Sequence, residues 1–216
     1  GKSIRDMGVT IAYNVSDKTI SGLLFADDLA VIAPSRKILR KMLRLLGKWA
    51  SLHDMHFGCK KCGVMGFGPS GSKKARKWEG KWSFDQAGSE VINVVNKYSY
   101  LGCEITANPA GNIDLNAMAL SRANVSEGAL KKIAPLLKDF TVPMRMKVNL
   151  IKHQLATSIL FGAELWGMRR SRSAHGNSLL VRAVKLMHTG INGRAGAQIL
   201  VDEAVLLAEY GIASIH

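Results

Sequence analysis

Hydrophobic residues follow two patterns, short continuous runs in the first half of the chain and helical spacing in the second. Residues 9–13, 23–32 and 92–95 are short apolar runs, which predict strands. Apolar residues between about 35 and 53 recur every three or four positions, which predicts a helix that the Ser35 hydroxyl caps. From about residue 111, helical patterns continue to the end. We therefore expect an α+β fold, in which antiparallel strands and a packing helix precede an all-helical region.

The helix expected over residues 35–53 has an apolar face and a basic face. Its apolar side chains lie at helical spacing and are expected to face the core. They are Ile38, Met42, Leu45, Trp49 and Leu52, with Leu39, Leu43 and Leu46 widening the face. The basic side chains of the other face are Lys37, Arg40, Lys41, Arg44 and Lys48.

The second half predicts several helices. Residues 112–138 form one helix or a broken one, and Pro143 suits the first turn of another that runs toward Trp166. Residues 169–173 are expected to be a basic break, and helical patterns resume over 178–191 and 197–210. We expect Trp166 to anchor the helices and Glu164 to have a structural role.

Two adjacent carboxylates, Asp27 and Asp28, interrupt the apolar run of residues 23–32. A lone buried carboxylate is costly, and two side by side repel each other unless a cation is close. We expect two buried strands joined by a turn with both carboxylates at its tip, where their oxygens could hold Mg²⁺ or Mn²⁺. The alternative is an ordinary Asp-Asp turn, which is the more common structure for an acidic pair taken alone.

The charge of the chain points to an anionic partner. The 216 residues include 30 Lys and Arg but 16 Asp and Glu, a formal net charge of +14. Residues 36–82 carry most of this excess, with Asp54 and Glu79 as their acidic residues. Such a balance predicts contact with nucleic acid or an anionic surface. An excess this local favours a track for phosphate groups over a solvated face.

Other residues of this basic region allow further interpretations. His53, His56, Cys59 and Cys62 follow one another at intervals of three, which raises the question of zinc. Ten residues leave little chain to surround a tetrahedral ion, so ordinary packing is favoured for both cysteines. Trp78 and Trp82 could stack on bases, but packing against the next strand is favoured. Three cysteines, an odd count, argue against a disulfide framework.

Four stretches, in order, resemble motifs of one enzyme family. Residues 25–28 (FADD) with their apolar flanks resemble the metal-binding box of reverse transcriptases, most closely the non-LTR (LINE-type) retrotransposon branch. Residues 55–67 resemble its lysine motif, residues 98–102 (YSYLG) its primer-contacting hairpin, and residues 160–166 (LFGAELW) a thumb-helix signature. Together these matches extend over most of residues 11–170.

The resemblance implies an RNA-directed DNA polymerase, which joins nucleotides to a primer 3′-hydroxyl by two-metal phosphoryl transfer. In this family Asp27 would be a direct ligand of Mg²⁺ (or Mn²⁺), and Asp28 would be a ligand or its support. Lys61 would lie near the triphosphate and could protonate the leaving pyrophosphate. Lys60 would take this role if the register differs by one residue.

The resemblance also implies contacts with the primer. Phe25 and Ala26 would lie beside the primer terminus, where the small Ala26 leaves room for it. Tyr100, Leu101 and Gly102 would hold the end of the primer strand, since glycine permits a close approach of the backbone. The expected partners are an RNA template, a DNA primer and dNTPs, with no membrane.

As a reverse transcriptase, the chain would divide into the C-terminal half of a palm (1–108), thumb helices (109–170) and a helical linker (171–216). Fingers and the strand with the leading catalytic Asp are expected upstream, so the chain by itself is expected to be inactive. We expect an intracellular location, nuclear during integration. Two alternatives remain open, a non-catalytic nucleic-acid-binding remnant of a retroelement and, with less support, a group II intron maturase of the same fold.

Overall fold

A computed structural model describes residues 7–13, 16–69, 73, 77, 79–85, 91–167, 169–192 and 202–215. The chain divides into two compact units, Gly1–Ile113 and Asp114–His216. Strands lie in the first unit, while the second unit is helical, so the expected α+β class is confirmed. The three segments expected from the family resemblance, 1–108, 109–170 and 171–216, stay a prediction.

The strands of the first unit pair two by two. Antiparallel ladders join β1 to β2, β3 to β4 and β7 to β8, as expected. The ladder that joins β5 to β6 is parallel, which corrects the expectation of antiparallel strands throughout. The strands are β1 (Val9–Tyr13), β2 (Ser16–Ile20), β3 (Gly22–Phe25), β4 (Asp28–Val31), β5 (Gly63–Val64), β6 (Asn93–Val94), β7 (Lys97–Tyr100) and β8 (Cys103–Thr106). Strand β2 begins at Ser16 because its ladder with β1 continues to the pair Tyr13 and Ser16.

Helix α1 (Arg36–Leu52) has the expected bounds. The Ser35 hydroxyl accepts a hydrogen bond from the Ile38 N–H at 3.4 Å, which confirms the cap. The apolar face, however, is turned from its expected position. Trp49 and Leu52 are 47% and 83% exposed, while the buried residues are Met42, Leu43 and Ala50. This correction arises because the core lies against the side of the helix that carries Leu43 and Ala50.

The core of the first unit lies between α1 and the strands. Trp82 is buried in it, which confirms the expected packing of this side chain, while Trp78 lies outside the described residues. Gly47 of α1 lies against the backbone of Phe84, so closely that a Cβ would overlap the Phe84 carbonyl. The buried members of this core are Leu43, Cys59, Val64, Trp82 and Ile92.

The second unit consists of helices. The Asp114 carboxylate caps the first of them by accepting hydrogen bonds from the N–H groups of Asn116 and Ala117, both at 3.0 Å. Pro143 directly precedes α3, as expected. The helices are α2 (Leu115–Lys138), α3 (Met144–Leu150), a π-helical segment (Ile151–Ala156), α4 (Thr157–Leu160), α5 (Ala163–Trp166), α6 (Arg170–Asn192) and α7 (Glu203–Glu209).

Helix α6 begins earlier than expected. Residues 170–173 form its first turn, where the Ser173 hydroxyl donates to the carbonyl of Arg170 at 2.8 Å. The expected basic break is therefore wrong, because arginine favours helices and no Pro or Gly stands in this segment. Trp166 is buried, as expected for an anchoring side chain, and Glu164 is exposed.

The helices of the second unit enclose a hydrophobic core of their own. Helix α6 contributes the longest series of buried side chains, and α2 and the π-helical segment pack against it. Fully buried members include Leu137, Ile151, Leu155, Leu180, Val184 and Met187.

Candidate functional site

Strands β3 and β4 form a hairpin, called here the acidic hairpin, that carries Asp27 and Asp28. Phe25 pairs with Asp28, so the turn consists of Ala26 and Asp27, and Asp28 is the first residue of β4. Both carboxylates are exposed. Ala26 has φ +52, a conformation that costs energy in a residue with a side chain. The expected strand–turn–strand arrangement is therefore confirmed.

The apolar residues of the acidic hairpin are not buried. Leu23, Leu24 and Phe25 are 50%, 72% and 65% exposed, which corrects the expectation of buried strands. The reason is that β3 and β4 form a two-stranded sheet, and no further strand of the described residues pairs with it. The carboxylates of Asp27 and Asp28 are consequently exposed to solvent and remain hydrated.

Strands β7 and β8 form the second hairpin, whose turn lies at the expected place. Tyr100 pairs with Cys103, which leaves Leu101 and Gly102 as the two turn residues. Both have positive φ, +49 and +77, as in the type I′ turn that suits a two-residue hairpin. Glycine adopts this conformation freely, but leucine does so at a cost of roughly 1–3 kcal/mol. The surrounding structure therefore holds the turn in place.

Lys60 and Lys61 lie in a 3-10 turn, Cys59–Lys61, and both side chains are exposed. The N–H of Lys61 donates to the Gly58 carbonyl at 2.8 Å, while Cys59 is buried in the core. The backbone of this turn is thus anchored. The ammonium groups stay in solvent, where a lysine is a mobile point charge suited to phosphate.

Tyr98 of β7 contacts this lysine turn. Its hydroxyl donates to the carbonyl of Lys61 at 2.8 Å. Burial raises the pKa of Tyr98 first of all, and the negative charges of Cys62 and Asp28 raise it further.

Gly63 makes room for the Tyr98 ring. A Cβ at Gly63 would stand 3.0 Å from Cδ2 of the ring and 2.7 Å from Cγ2 of Val95, closer than side chains normally pack. The ring therefore lies directly on the strand that follows the lysine turn. Sequence reasoning did not single out Tyr98, although alternation along β7 places it on the same side as Tyr100.

Tyr100 supplies a second link between the two hairpins. Its hydroxyl donates to the carbonyl of Leu23 in β3 at 3.5 Å, a long hydrogen bond. Three stretches that are distant in the sequence are thereby brought together, the acidic hairpin, the lysine turn and the second hairpin. In the part of the chain that the structure describes, no hydrogen bond joins the side chains of Asp27 or Lys60 to the second hairpin.

Known proteins do not identify this chain. Comparisons with protein-family models, with curated proteins and with solved structures found no significant match. Within the described ranges, no helix is both long enough and apolar enough to cross a membrane.

The site offers a divalent cation two hard oxygen donors. Carboxylates on an exposed turn suit Mg²⁺, which keeps several of its waters and takes one or two protein carboxylates. The described residues contain no group of three or more His, Cys, Asp and Glu side chains that could hold a metal. Asp27 and Asp28 therefore fit the chemistry of a magnesium site but supply only part of its ligands.

The histidines and cysteines beside the lysine turn have other surroundings. The His53 ring stacks on Trp49, and its Nδ1 lies 2.8 Å from the Trp49 carbonyl oxygen. Cys59 is buried, and burial raises the pKa of the Cys62 thiol, which disfavours the thiolate that would bind zinc.

Proposed function

We propose that this chain is part of an RNA-directed DNA polymerase of the non-LTR retrotransposon type. The observation that supports it is the pair of tyrosine contacts, by which Tyr98 and Tyr100 join the second hairpin to the lysine turn and to the acidic hairpin. These are three of the four stretches whose sequences resemble motifs of that enzyme. In this proposal the first unit corresponds to part of a palm, and the helices of the second unit to a thumb and a linker.

Each group of the site has a role in this proposal. Asp27 and Asp28 would hold Mg²⁺ (or Mn²⁺), which would supply the positive charge that stabilises the phosphates in nucleotidyl transfer. The Lys61 ammonium would contact the triphosphate and hold a proton close to the leaving pyrophosphate, and Lys60 is its alternative. Tyr98 would position Lys61 through the backbone of the lysine turn.

The exposed surface of both hairpins would contact the nucleic acid. Phe25 and Ala26 lie at the tip of the acidic hairpin, beside the carboxylates that would face the primer 3′-hydroxyl. Leu101 and Gly102 form an exposed turn that could follow the primer strand closely. The RNA template would pair with the primer, and the dNTPs would enter between the carboxylates and Lys61.

The proposal requires a further carboxylate. Affinity for a hard cation rises with the number of charged ligands, and the described residues offer no third ligand beside Asp27 and Asp28. We propose that a longer protein provides it and that this chain alone does not polymerise.

Primer extension tests the proposal. This chain and the longer protein that the proposal requires are incubated with an RNA template, a labelled DNA primer, dNTPs and Mg²⁺ or Mn²⁺. We expect extension by the longer protein and none by this chain. Asp27→Asn should lower the rate at least about 10²-fold, because it removes a charged ligand at the reacting phosphate. Asp54→Asn, which neutralises another exposed carboxylate of the same unit, should leave the rate unchanged.

The same experiment decides between two functions. A remnant that only binds nucleic acid is favoured by the net charge of +14 and by the incomplete ligand set. If the longer protein binds template and primer but never extends, the polymerase proposal fails and the remnant remains. If Asp27→Asn extends as fast as the parent, the ligand role proposed for Asp27 is wrong.

A further inference from the structure

Helix α1 carries a row of cations along one side. Lys37, Lys41, Arg44 and Lys48 are separated by four, three and four residues. At 3.6 residues per turn these positions fall within about 60° of the helix circumference and extend over about 16 Å. The three lysines are exposed and Arg44 is half-buried. These four residues are called the α1 strip.

The packing of α1 directs the α1 strip outward. Met42, Leu43 and Ala50 are buried on the opposite side of the helix. Gly47 allows α1 to pack directly against the Phe84 backbone, and this close contact fixes the position of the helix on the core. The cations therefore stand on a rigid element, away from the hydrophobic core.

Nothing in α1 balances these charges. The helix contains no acidic residue, and Lys37 lies in the first turn, where the helix dipole opposes a cation. Lys37 and Lys41, and likewise Arg44 and Lys48, are like charges four residues apart, an arrangement that destabilises a helix. Among the described residues, no side chain forms an ion pair with any member of the strip. Repulsion among these cations destabilises the helix when no counter-charge is near. A polyanion bound beside the α1 strip would relieve this repulsion.

We propose that the α1 strip binds the phosphate backbone of a nucleic acid, independently of the Asp27–Asp28 site. Lysine is a compact charge that attracts phosphates without reading bases, so this contact is independent of sequence. A membrane surface is the less suitable anionic partner. An amphipathic helix binds a bilayer through its apolar face, and the core buries most of that face of α1 through Met42, Leu43 and Ala50, which leaves Trp49 and Leu52 as its exposed apolar side chains.

Fluorescence anisotropy with a labelled single-stranded RNA, measured over a series of salt concentrations, tests the proposal. The strip variant keeps the helix propensity, since glutamine is nearly as good a helix former as lysine. It combines the substitutions Lys37→Gln, Lys41→Gln, Arg44→Gln and Lys48→Gln. We expect its affinity to fall at least tenfold, and the slope of log K against log salt concentration to decrease by about 3, because four phosphate contacts are lost.

A matched control separates this site from the general effect of net charge. Four exposed cations of the second unit are neutralised in the same way, with Lys131→Gln, Lys132→Gln, Lys138→Gln and Arg145→Gln. This control should lose much less affinity than the strip variant. Equal losses would overturn the proposal, because binding would then follow net charge alone.

Three further measurements test whether the strip variant is folded and whether the partner is a membrane. Removing like charges should leave the melting temperature of the strip variant unchanged or higher, while its RNA affinity falls. A charge-conserving variant, in which Lys and Arg are exchanged at all four positions, should still bind RNA, and its failure to bind would contradict the proposal. Loss of binding to phosphatidylserine vesicles without loss of binding to RNA would instead assign the strip to a membrane.

Discussion

Tyr98 is the side chain on which the arrangement of the candidate site depends most. It donates a hydrogen bond to the backbone of Lys61 and lies on Gly63, and the Asp28 carboxylate contributes to its raised pKa. The resemblance to reverse transcriptases pointed to Tyr100 and its turn, and Tyr98 was assigned no role. A hydroxyl that donates to a carbonyl 37 residues away is invisible in sequence spacing.

The pKa of Tyr98 provides a test of this geometry. The pKa of Tyr98 is raised in the folded chain, so folding favours the neutral hydroxyl. The resulting contribution to the free energy of unfolding is present below the ordinary tyrosine pKa and is lost as the pH rises through the raised pKa. Asp28→Asn should lower the Tyr98 pKa without restoring its ordinary value, since burial is the larger cause. An ultraviolet titration against Tyr98→Phe measures this. An unchanged Tyr98 pKa in Asp28→Asn would show that the carboxylate is not close.

Among the elements, α1 shows which part of a helix can be predicted from sequence. Its cap at Ser35 and its end near His53 were both predicted, because caps and periodicity are local signals. Its buried face was predicted less well, since Trp49 and Leu52 belong to the apolar series and yet are exposed. Periodicity defines an apolar arc, whereas the neighbouring core selects the part of that arc that becomes buried.

Two glycines inside helices should respond in opposite ways to the same substitution. Gly47→Ala should lower the free energy of unfolding by about 1–3 kcal/mol, because the new methyl group would overlap the Phe84 backbone. Gly128→Ala in α2 should raise it by about 0.5–1 kcal/mol, since a Cβ at Gly128 would meet no atom within 4 Å and alanine favours a helix. Urea denaturation measures both. A gain at Gly47 would contradict the close approach of α1 to Phe84.

At the scale of the whole molecule, the residues that the structure describes form two hydrophobic cores, one in each unit. Truncation of a buried aliphatic side chain removes contacts and leaves a cavity, at a cost of about 2–5 kcal/mol. Leu137→Ala should therefore reduce amide hydrogen-exchange protection in residues 114–216, and Ile92→Ala should reduce it in the first unit. Exchange followed by mass spectrometry resolves the two regions. Loss of protection throughout the chain in either variant would show one cooperative unit instead of two.

The local sequence by itself determined the α+β class, the cap and length of α1, the turn of the acidic hairpin and the start of a helix after Pro143. These features depend on side-chain periodicity, capping and turn residues within a few positions, so they can be read along the chain. The tertiary structure decided that β3 and β4 remain a two-stranded sheet with exposed Leu24, and that Tyr98 and Tyr100 join the second hairpin to the lysine turn and to the acidic hairpin. Burial and long-range contacts depend on which surfaces meet, and the pattern of a single segment does not contain that information.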